Sequence, residues 1–283
     1  MFIIQDLKMY EDFYGLKEKP FGVTPDTKFF FPSEKHLEAL NCLIYAINER
    51  KGFAVITGEI GSGKTTVWHT LLNKLDKGTK VVLITNTFLT PKQMIMAILE
   101  DLEIPFKNKW PKVRLLSCLN NYLLKQAMLG FNVVVLIDEA QNLSVSTLEE
   151  VRMLSNLETD KEKLLQIVLM GQPQLREILN LKKLEQLKQR ISVYYHISPL
   201  TKEETENYIL HRLKVAGANG TMIFNKEALE KIYFYSGGIP RLINSLCDRA
   251  LLTGFVREKR LVDEDIIEEV AGELELTKGR GGS

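Results

Sequence analysis

The sequence predicts an α/β fold in which a five-stranded parallel β-sheet is flanked by helices and followed by a small all-helical lid domain. Short apolar segments alternate with amphipathic helical patterns through residue 197. That alternation is typical of a parallel sheet that is covered on both faces. From Thr201 onward the strand patterns stop and only helical patterns continue. We therefore expect the helical domain to follow the sheet along the chain.

Five segments have the pattern of strands in that sheet. Each is short and apolar, and each of the first four is bounded by Gly, Asn or Asp and followed by a helical pattern. Buried parallel strands have this nearly continuous apolar character. The predicted strands are residues 53–57, 80–85, 133–137, 164–170 and 191–197.

Helical periodicity accounts for the segments between and after the strands. Ser33 and Pro91 are typical residues for the start of a helix. In the segment 240–257, apolar residues recur with the spacing of one buried helix face. The predicted helices are residues 33–50, 64–75, 91–102, 112–129, 147–157, 201–215, 226–235, 240–257 and 263–273.

These patterns suggest where the domains begin and end. We expect the sheet domain at residues 1–199, including an aromatic-rich segment at 13–31, and the lid domain at 200–275. The Gly-rich residues 276–283 are expected to form a flexible tail. The aromatic cluster is expected to pack in a core or an interface.

The composition indicates a folded protein without a strong overall attraction to polyanions. Of 283 residues, 45% are apolar and 26% are charged, which excludes a disordered chain. The 37 basic and 36 acidic side chains nearly cancel, so only a local patch would attract nucleic acid. Three cysteines without a CxxC pair argue against a disulfide framework and a zinc site. In the absence of a long apolar stretch, we expect no signal peptide, no membrane span and a cytoplasmic location.

The loop after the first strand has the sequence of a phosphate-binding loop. Gly58–Thr65 reads GEIGSGKT and lies between an apolar strand and a helix, the context that this motif requires. Glycines there let backbone N–H groups point at phosphate oxygens, a lysine adds a cation, and a hydroxyl coordinates Mg²⁺. The motif predicts an ATP site with Mg²⁺ on Thr65. The phosphates are expected to contact Gly58, Glu59, Ile60, Gly61, Ser62, Gly63, Lys64, Thr65 and Thr66.

Two carboxylates follow the third predicted strand. Asp138 and Glu139 come directly after the apolar residues 133–137, at the strand end where open parallel sheets bind ligands. We expect Asp138 to hold Mg²⁺ through water, and Glu139 to deprotonate the water that attacks the γ-phosphate. A helix cap is the simpler alternative, although paired acids after such a run are unusual. A nucleotide switch without turnover is a second alternative, against which Glu139 argues.

Three further polar residues are candidates for the same reaction. Gln172 follows the fourth strand and would sense the γ-phosphate, unless it belongs only to a turn before a helix. Arg190 precedes the fifth strand and would complete a neighbouring subunit's site as an arginine finger, although an isolated arginine is usually a solvated charge. Arg241 opens a helix of the lid domain and would fold onto the nucleotide as a second sensor. If Arg190 acts in trans, hydrolysis depends on self-association.

Together these features resemble the AAA+ ATPases and, in finer detail, ATPases of the ExeA/GspA type. The resemblance implies a P-loop ATPase that self-associates into a ring or filament and assembles a secretin-type complex with a secretion-apparatus protein. Larger members add a membrane span and a peptidoglycan-binding region, so we expect a standalone homologue or a truncated ATPase module. The finer resemblance covers residues 10–270 and rests on Tyr14–Phe21 (YGLKEKPF), Pro25-Asp26, Ser33, His36, Ala39, Leu40, Asp138–Leu143 (DEAQNL), Leu154–Glu158 (LSNLE) and Gly171–Pro173 (GQP).

A second resemblance leaves the biological role open. The same module is similar to the MuB-like and TnsC-like transposition ATPases, which form ATP-dependent filaments on DNA and recruit a transposase. A basic patch with an aromatic residue favours this alternative and makes duplex DNA a possible partner. The patch comprises Lys107, Lys109, Trp110, Lys112 and Arg114. A solvated loop and helix start explains the same residues more simply.

Two groups of residues carry no firm functional prediction. The histidines lack metal-ligand spacing, and no role is predicted for His36, His69, His196 or His211. The aromatic segment 13–31 is expected to pack in a core or an interface. Packing beside the adenine is the less favoured alternative.

Overall fold

The computed structural model describes residues 10–22, 24, 26–160, 162–220 and 222–276 of the chain. The predicted tail, apart from Leu276, lies outside the described residues, as does Pro25 of the Pro25-Asp26 motif. No helix within the described ranges is long and apolar enough to cross a lipid bilayer.

A five-stranded parallel sheet forms as the sequence predicts. The order of strands across it is β2-β3-β4-β1-β5, and every neighbouring pair is parallel. The carboxyl ends of all five strands therefore lie along one edge of the sheet. The strands are β1 (Phe53–Gly58), β2 (Thr79–Ile84), β3 (Asn132–Ile137), β4 (Gln166–Gly171) and β5 (Ile191–Ile197).

Burial explains the apolar character of these segments. Every residue of β1 and β4 is buried, as expected for inner strands covered on both faces, whereas exposure alternates along the edge strand β5. The strand predicted at 164–170 is observed to begin at Gln166, two residues later than predicted. The N–H of Leu164 instead donates to the Leu157 carbonyl, 2.9 Å away, in the turn that precedes the strand.

Each predicted helix is observed to within a few residues, and three short helices, α1, α7 and α8, have no predicted counterpart. The predicted helix 147–157 shows the largest shift and is observed at Val145–Leu154, because the Ser144 hydroxyl caps its start by accepting from the Thr147 N–H at 3.1 Å. The helices are α1 (Glu11–Tyr14), α2 (Glu34–Asn48), α3 (Lys64–Lys74), α4 (Pro91–Asp101), α5 (Lys112–Met128), α6 (Val145–Leu154), α7 (Gln174–Leu179), α8 (Glu185–Lys188), α9 (Lys202–Val215), α10 (Lys226–Ser236), α11 (Pro240–Val256) and α12 (Glu264–Glu273).

Internal contacts divide the chain into two compact units. The sheet unit comprises residues 37–59 and 68–197. The helical unit comprises the N-terminal segment up to His36, residues 60–67, and the chain from Ser198 onward. The helical unit thus includes two stretches that the sequence-based boundary at residue 199 placed in the sheet domain.

The aromatic-rich N-terminal segment belongs to the helical unit because its side chains enter that unit's core. Phe21 is buried, and its ring centroid lies 6.3 Å from that of Phe224. Arg212 on α9 donates from Nε to the Pro20 carbonyl at 2.5 Å, and its guanidinium lies 4.8 Å from the Phe29 ring centroid. The segment is therefore part of a core, as the favoured interpretation of its composition predicted.

Candidate active site

The loop after β1 has the backbone of a phosphate-binding loop. β1 ends at Gly58 and α3 begins at Lys64, so the loop leads directly to a helix N-terminus. Gly61 has a φ of 81° and Gly63 a φ of 94°, values that side chains rarely adopt. Such a glycine-rich turn before a helix presents N–H groups that can bind phosphate oxygens.

Buried polar side chains in this loop fit a phosphate ligand. Ser62 is 1% exposed, and among the described residues its hydroxyl has no hydrogen-bond partner. Lys64 is 6% exposed. Burial of a hydroxyl is costly unless a polar group compensates, and a phosphate oxygen would serve Ser62. Thr65 and Thr66 are half-buried in the first turn of α3.

Arg241 contacts the loop within the helical unit. Its backbone N–H, in the first turn of α11, donates to the Gly61 carbonyl at 3.2 Å. A Cβ added to Gly61 would lie 2.4 Å from the Arg241 Cβ, closer than two carbon atoms can approach. Gly61 therefore lacks a side chain for two reasons, the left-handed backbone and the approach of α11. The predicted second sensor lies beside the phosphate loop.

His36 contacts the loop two residues further on and has no counterpart among the predicted site residues. Its Nε2 lies 2.9 Å from the Ser62 carbonyl, and its Nδ1 lies 2.6 Å from the Ser33 hydroxyl. A carbonyl only accepts, so Nε2 carries the hydrogen, and Nδ1 of the neutral ring accepts from Ser33. A Cβ added to Gly63 would lie 2.6 Å from Nε2. The imidazole thus packs directly against the second left-handed glycine.

Burial favours the neutral form of His36. Burial lowers its pKa, and the Ser62 carbonyl and the charge of Glu204 oppose that shift. The lack of metal-ligand spacing gave no role for His36, although His36 is one of the residues that carry the family resemblance. The signal that could have found this contact was the Ser33-x2-His36 pattern in the first turn of the predicted helix 33–50.

Three neighbouring strands of the sheet unit bring candidate residues to one edge. β3, β4 and β1 are adjacent, so Asp138, Gln172 and Gly58 follow one another along the carboxyl edge. The N–H of Asp138 donates to the Ile84 carbonyl at 3.0 Å, which continues the ladder between β2 and β3 past the strand end. Asp138 Oδ1 accepts from the Glu139 N–H at 2.9 Å. This edge is where open parallel sheets bind ligands.

The carboxylate of Glu139 is held by two amide side chains. Its Oε2 accepts from Gln172 Nε2 at 3.0 Å and from Gln141 Nε2 at 2.5 Å. Gln172, the predicted γ-phosphate sensor, therefore contacts the predicted base. Gln141 was not singled out by the motif, because only the two acids in Asp138–Leu143 carry an obvious chemical role.

Arg190 lies at the opposite edge of the sheet from these carboxylates. It directly precedes β5, whose seven residues span about 23 Å at the usual rise of a strand. Its Nη1 donates to the Ser155 hydroxyl at 2.9 Å. Arg190 is therefore too far along the sheet to reach Glu139 of its own sheet unit.

A known protein family matches the part of the chain that contains most of these residues. Residues 47–179 match the family described as AAA domain, and this span includes Gly58–Thr65, Asp138, Glu139 and Gln172. The strand order and the helical region that follows the sheet have the AAA+ fold that the sequence predicts.

Most of the chain is similar in sequence to a secretion protein. The chain is 43% identical to General secretion pathway protein A of Aeromonas hydrophila over 259 residues, which are 91% of this chain. The chain spans 47% of that protein, about half of its length. This similarity confirms the resemblance to ATPases of the GspA type.

Solved structures share the fold of this chain. Cdc6p from Pyrobaculum aerophilum superimposes with a TM-score of 0.68 at 20% identity, covering 88% of this chain and 71% of that one. A Drosophila ORC structure bound to DNA superimposes with a TM-score of 0.72 at 17% identity, covering 98% of this chain and 69% of that one. At these identities the likeness concerns the AAA+ fold alone.

Proposed function

We propose that this chain is an ATPase that binds Mg·ATP and hydrolyses it to ADP and phosphate. One observation carries the proposal. The phosphate loop leaves the sheet at Gly58, on the same edge where the Asp138-Glu139 pair follows a strand two positions away in the order β3-β4-β1. A nucleotide-binding loop and an acidic pair on one sheet edge are the parts that phosphoryl transfer to water requires.

In this proposal each group of residues has a distinct task. The loop N–H groups from Gly58 to Gly63 and the Lys64 ammonium bind the phosphates, and Arg241 contributes from the lid. Thr65 would hold Mg²⁺ directly and Asp138 through water. The ion would neutralise charge on the phosphates. Its site is supported by the hydroxyl and carboxylate oxygens, which are the ligands that Mg²⁺ prefers.

Glu139 would act as the general base and Gln172 as the γ-phosphate sensor. The Gln172 amide already contacts the Glu139 carboxylate, so a residue that responds to the γ-phosphate is in a position to move the base. General-base catalysis typically contributes a factor of about 10² to 10⁴ to the rate. That contribution is what distinguishes an ATPase from a nucleotide switch.

Self-association in the ATP state is part of the same proposal. Arg190 is remote from Glu139 in its own sheet unit and would complete the site of a neighbouring copy in a ring or filament. A residue that contributes to catalysis only across an interface makes hydrolysis depend on assembly.

For the biological role we propose assembly of a secretion complex, with a secretin-type pore and a secretion-apparatus protein as partners and a cytoplasmic location for the ATPase. The support is the 43% identity to a general secretion pathway protein over 91% of this chain. The alternative is a transposition ATPase that forms filaments on duplex DNA and recruits a transposase.

The basic patch supports that alternative less strongly than its composition suggested. Lys112 forms an ion pair with Glu150 at 2.5 Å, and the Arg114 guanidinium stacks on Trp110 at 3.8 Å. Lys107 and Lys109 are exposed, as is Arg114. Duplex DNA binding with a steep salt dependence, lost in a Lys107→Ala, Lys109→Ala variant, would favour transposition over secretion. Each phosphate contact lowers the slope of log K against log salt by about 0.9.

Phosphate release by the wild-type chain and by Glu139→Gln tests the proposed activity. We expect the rate to fall by about a hundredfold or more in Glu139→Gln. Mg·ATP should still bind, because the amide has nearly the size of the carboxylate. Glu177→Gln, on the exposed surface of α7, is the matched control and should hydrolyse ATP as the wild type does. Normal turnover in Glu139→Gln would contradict the assignment of the base.

A further inference from the structure

Gln141 occupies a fixed position between the candidate base and the candidate sensor. It lies in the 3₁₀ turn Ala140–Asn142 directly after Glu139. Glu139 has a φ of 50°, a left-handed conformation that is uncommon for a residue with a side chain. Ala140 is fully buried in the core of the sheet unit, which anchors the turn. The backbone therefore presents Gln141 in one defined direction.

Both ends of the Gln141 amide are used. Its Nε2 donates to Glu139 Oε2 at 2.5 Å, and its Oε1 accepts from the Gln172 backbone N–H at 3.0 Å. A Cβ added to Gly171 would lie 2.7 Å from this same Oε1, so the glycine at the end of β4 leaves the space that the amide fills. One side chain thus bridges the residue after β3 and the residue after β4.

The bridge determines which oxygen of Glu139 can take a proton. Oε2 accepts from two amides, those of Gln141 and Gln172. These two N–H donors occupy both lone pairs of that oxygen, which leaves no acceptor site on it for water. The carboxylate plane is set by these two bonds, and proton transfer from water falls to Oε1.

We propose that Gln141 is a positioning residue that orients Glu139 for catalysis and couples it to the turn after β4. The proposal rests on the hydrolysis proposed above. In that reaction the water oxygen bonds to the γ-phosphorus, the bond to the bridging oxygen breaks with its electron pair leaving on ADP, and the water proton passes to Glu139. A shift of the Gln172 backbone pulls on the Gln141 carbonyl and thereby reorients the base.

The first test compares Gln141→Met with Asn142→Ala. Methionine keeps the length of the side chain and removes both hydrogen bonds, whereas Asn142 is an exposed residue of the same turn. We expect kcat to fall about tenfold in Gln141→Met, since the hydrogen bond to the Glu139 carboxylate and the one from the Gln172 N–H are both lost. KM for ATP and Kd for ADP should stay within about twofold, and Asn142→Ala should match the wild type. Unchanged kcat, or a loss confined to KM, would overturn the proposal.

A double-mutant cycle tests whether Gln141 acts through Glu139. In the Glu139→Gln background the base is already absent, so Gln141→Met should lower the residual rate by less than about twofold. A further tenfold loss in that background would show that the two residues act independently and would contradict the positioning role.

A measurement without turnover separates this proposal from the proposed function. Gln141→Met removes the acceptor of the Gln172 N–H, so hydrogen exchange at that amide should accelerate by about tenfold. Asn142→Ala should leave it unchanged. If the wild-type chain does not hydrolyse ATP, the proposed function fails in every variant, and the exchange rate still reports on the bridge. Equal exchange in wild type and Gln141→Met would overturn the inference.

Discussion

The two units of this chain make different kinds of contact with the residues proposed to handle ATP. In the helical unit, the contacts fall on the backbone of the phosphate loop, where His36 binds the Ser62 carbonyl and Arg241 binds the Gly61 carbonyl. In the sheet unit, they converge on one carboxylate, that of Glu139. Changes to the loop contacts of His36 and Arg241 should therefore alter nucleotide affinity, and changes to the contacts of Glu139 should alter turnover.

Arg190→Ala should give the largest effect and should alter turnover alone. An arginine finger contributes about a thousandfold or more to the rate, so we expect phosphate release to fall by that order with the Kd for Mg·ATP unchanged. The matched control is Arg176→Ala, an exposed arginine of the same unit on α7.

The same variant tests whether Arg190 acts on a neighbouring copy. A mixture of Arg190→Ala and Glu139→Gln forms some interfaces in which an intact Arg190 meets an intact Glu139, so part of the activity should return. Absence of recovery at every mixing ratio would contradict action in trans.

Gly61→Ala should weaken nucleotide binding by about a hundredfold. The added methyl group meets the Arg241 Cβ in a backbone with a φ of 81°, and strain and overpacking together cost about 2 to 3 kcal/mol. The control is Gly130→Ala in the sheet unit, which has the same φ of 81° and no atom within 4 Å of the new methyl. Calorimetric titration with ADP should show normal affinity for the control. Similar losses in both variants would mean that the α11 contact is irrelevant to the loop.

His36→Leu should raise the Kd for ADP by about fivefold to tenfold, because the Ser62 carbonyl loses its donor. His36→Gln keeps an N–H donor of similar reach and should bind within about twofold of the wild type. At saturating ATP both variants should turn over normally. A fall in kcat in His36→Leu would contradict a role of this contact in nucleotide binding alone.

The smallest expected effect is the pH dependence of stability that arises from His36. Burial lowers its pKa from the ordinary value of 6.5, so the unfolded chain binds more protons than the folded chain as the pH falls through that value. Stability should therefore decrease below about pH 6.5 and decrease less in His36→Gln. His211 has a pKa shifted in the same direction and leaves a residual dependence. Thermal midpoints at about pH 7.5 and 5.5 measure this, and equal decreases in both proteins would exclude a contribution from His36.

The strands and helices could be predicted because each pattern reflects the burial of its own segment. The run Phe53–Gly58 is apolar throughout and is buried throughout, and the Ser-Gly-Lys sequence that follows places a turn before α3. Boundaries shifted only where a local hydrogen bond competed, as at Ser144 and Leu164.

The partners of those elements could not be predicted in the same way. The sequence shows that Phe21 is apolar but not which core it enters. In the structure its ring packs against that of Phe224, some 200 positions further along the chain. His36 and Ser62 are 26 positions apart, and Gln141 and the Gln172 N–H are 31 apart. Such contacts depend on the topology of the sheet and the helices, which no single motif encodes.

The central claim is that Lys64 acts in nucleotide binding and Glu139 in turnover, and paired dissociation constants for Mg·ATP test it most directly. Lys64 belongs to the helical unit and Glu139 to the sheet unit. We expect Lys64→Ala to raise the Kd by about tenfold or more, since an ammonium contact to phosphate is lost. Glu139→Gln should leave the Kd within about twofold of the wild type. Equal losses of affinity in the two variants would contradict the account.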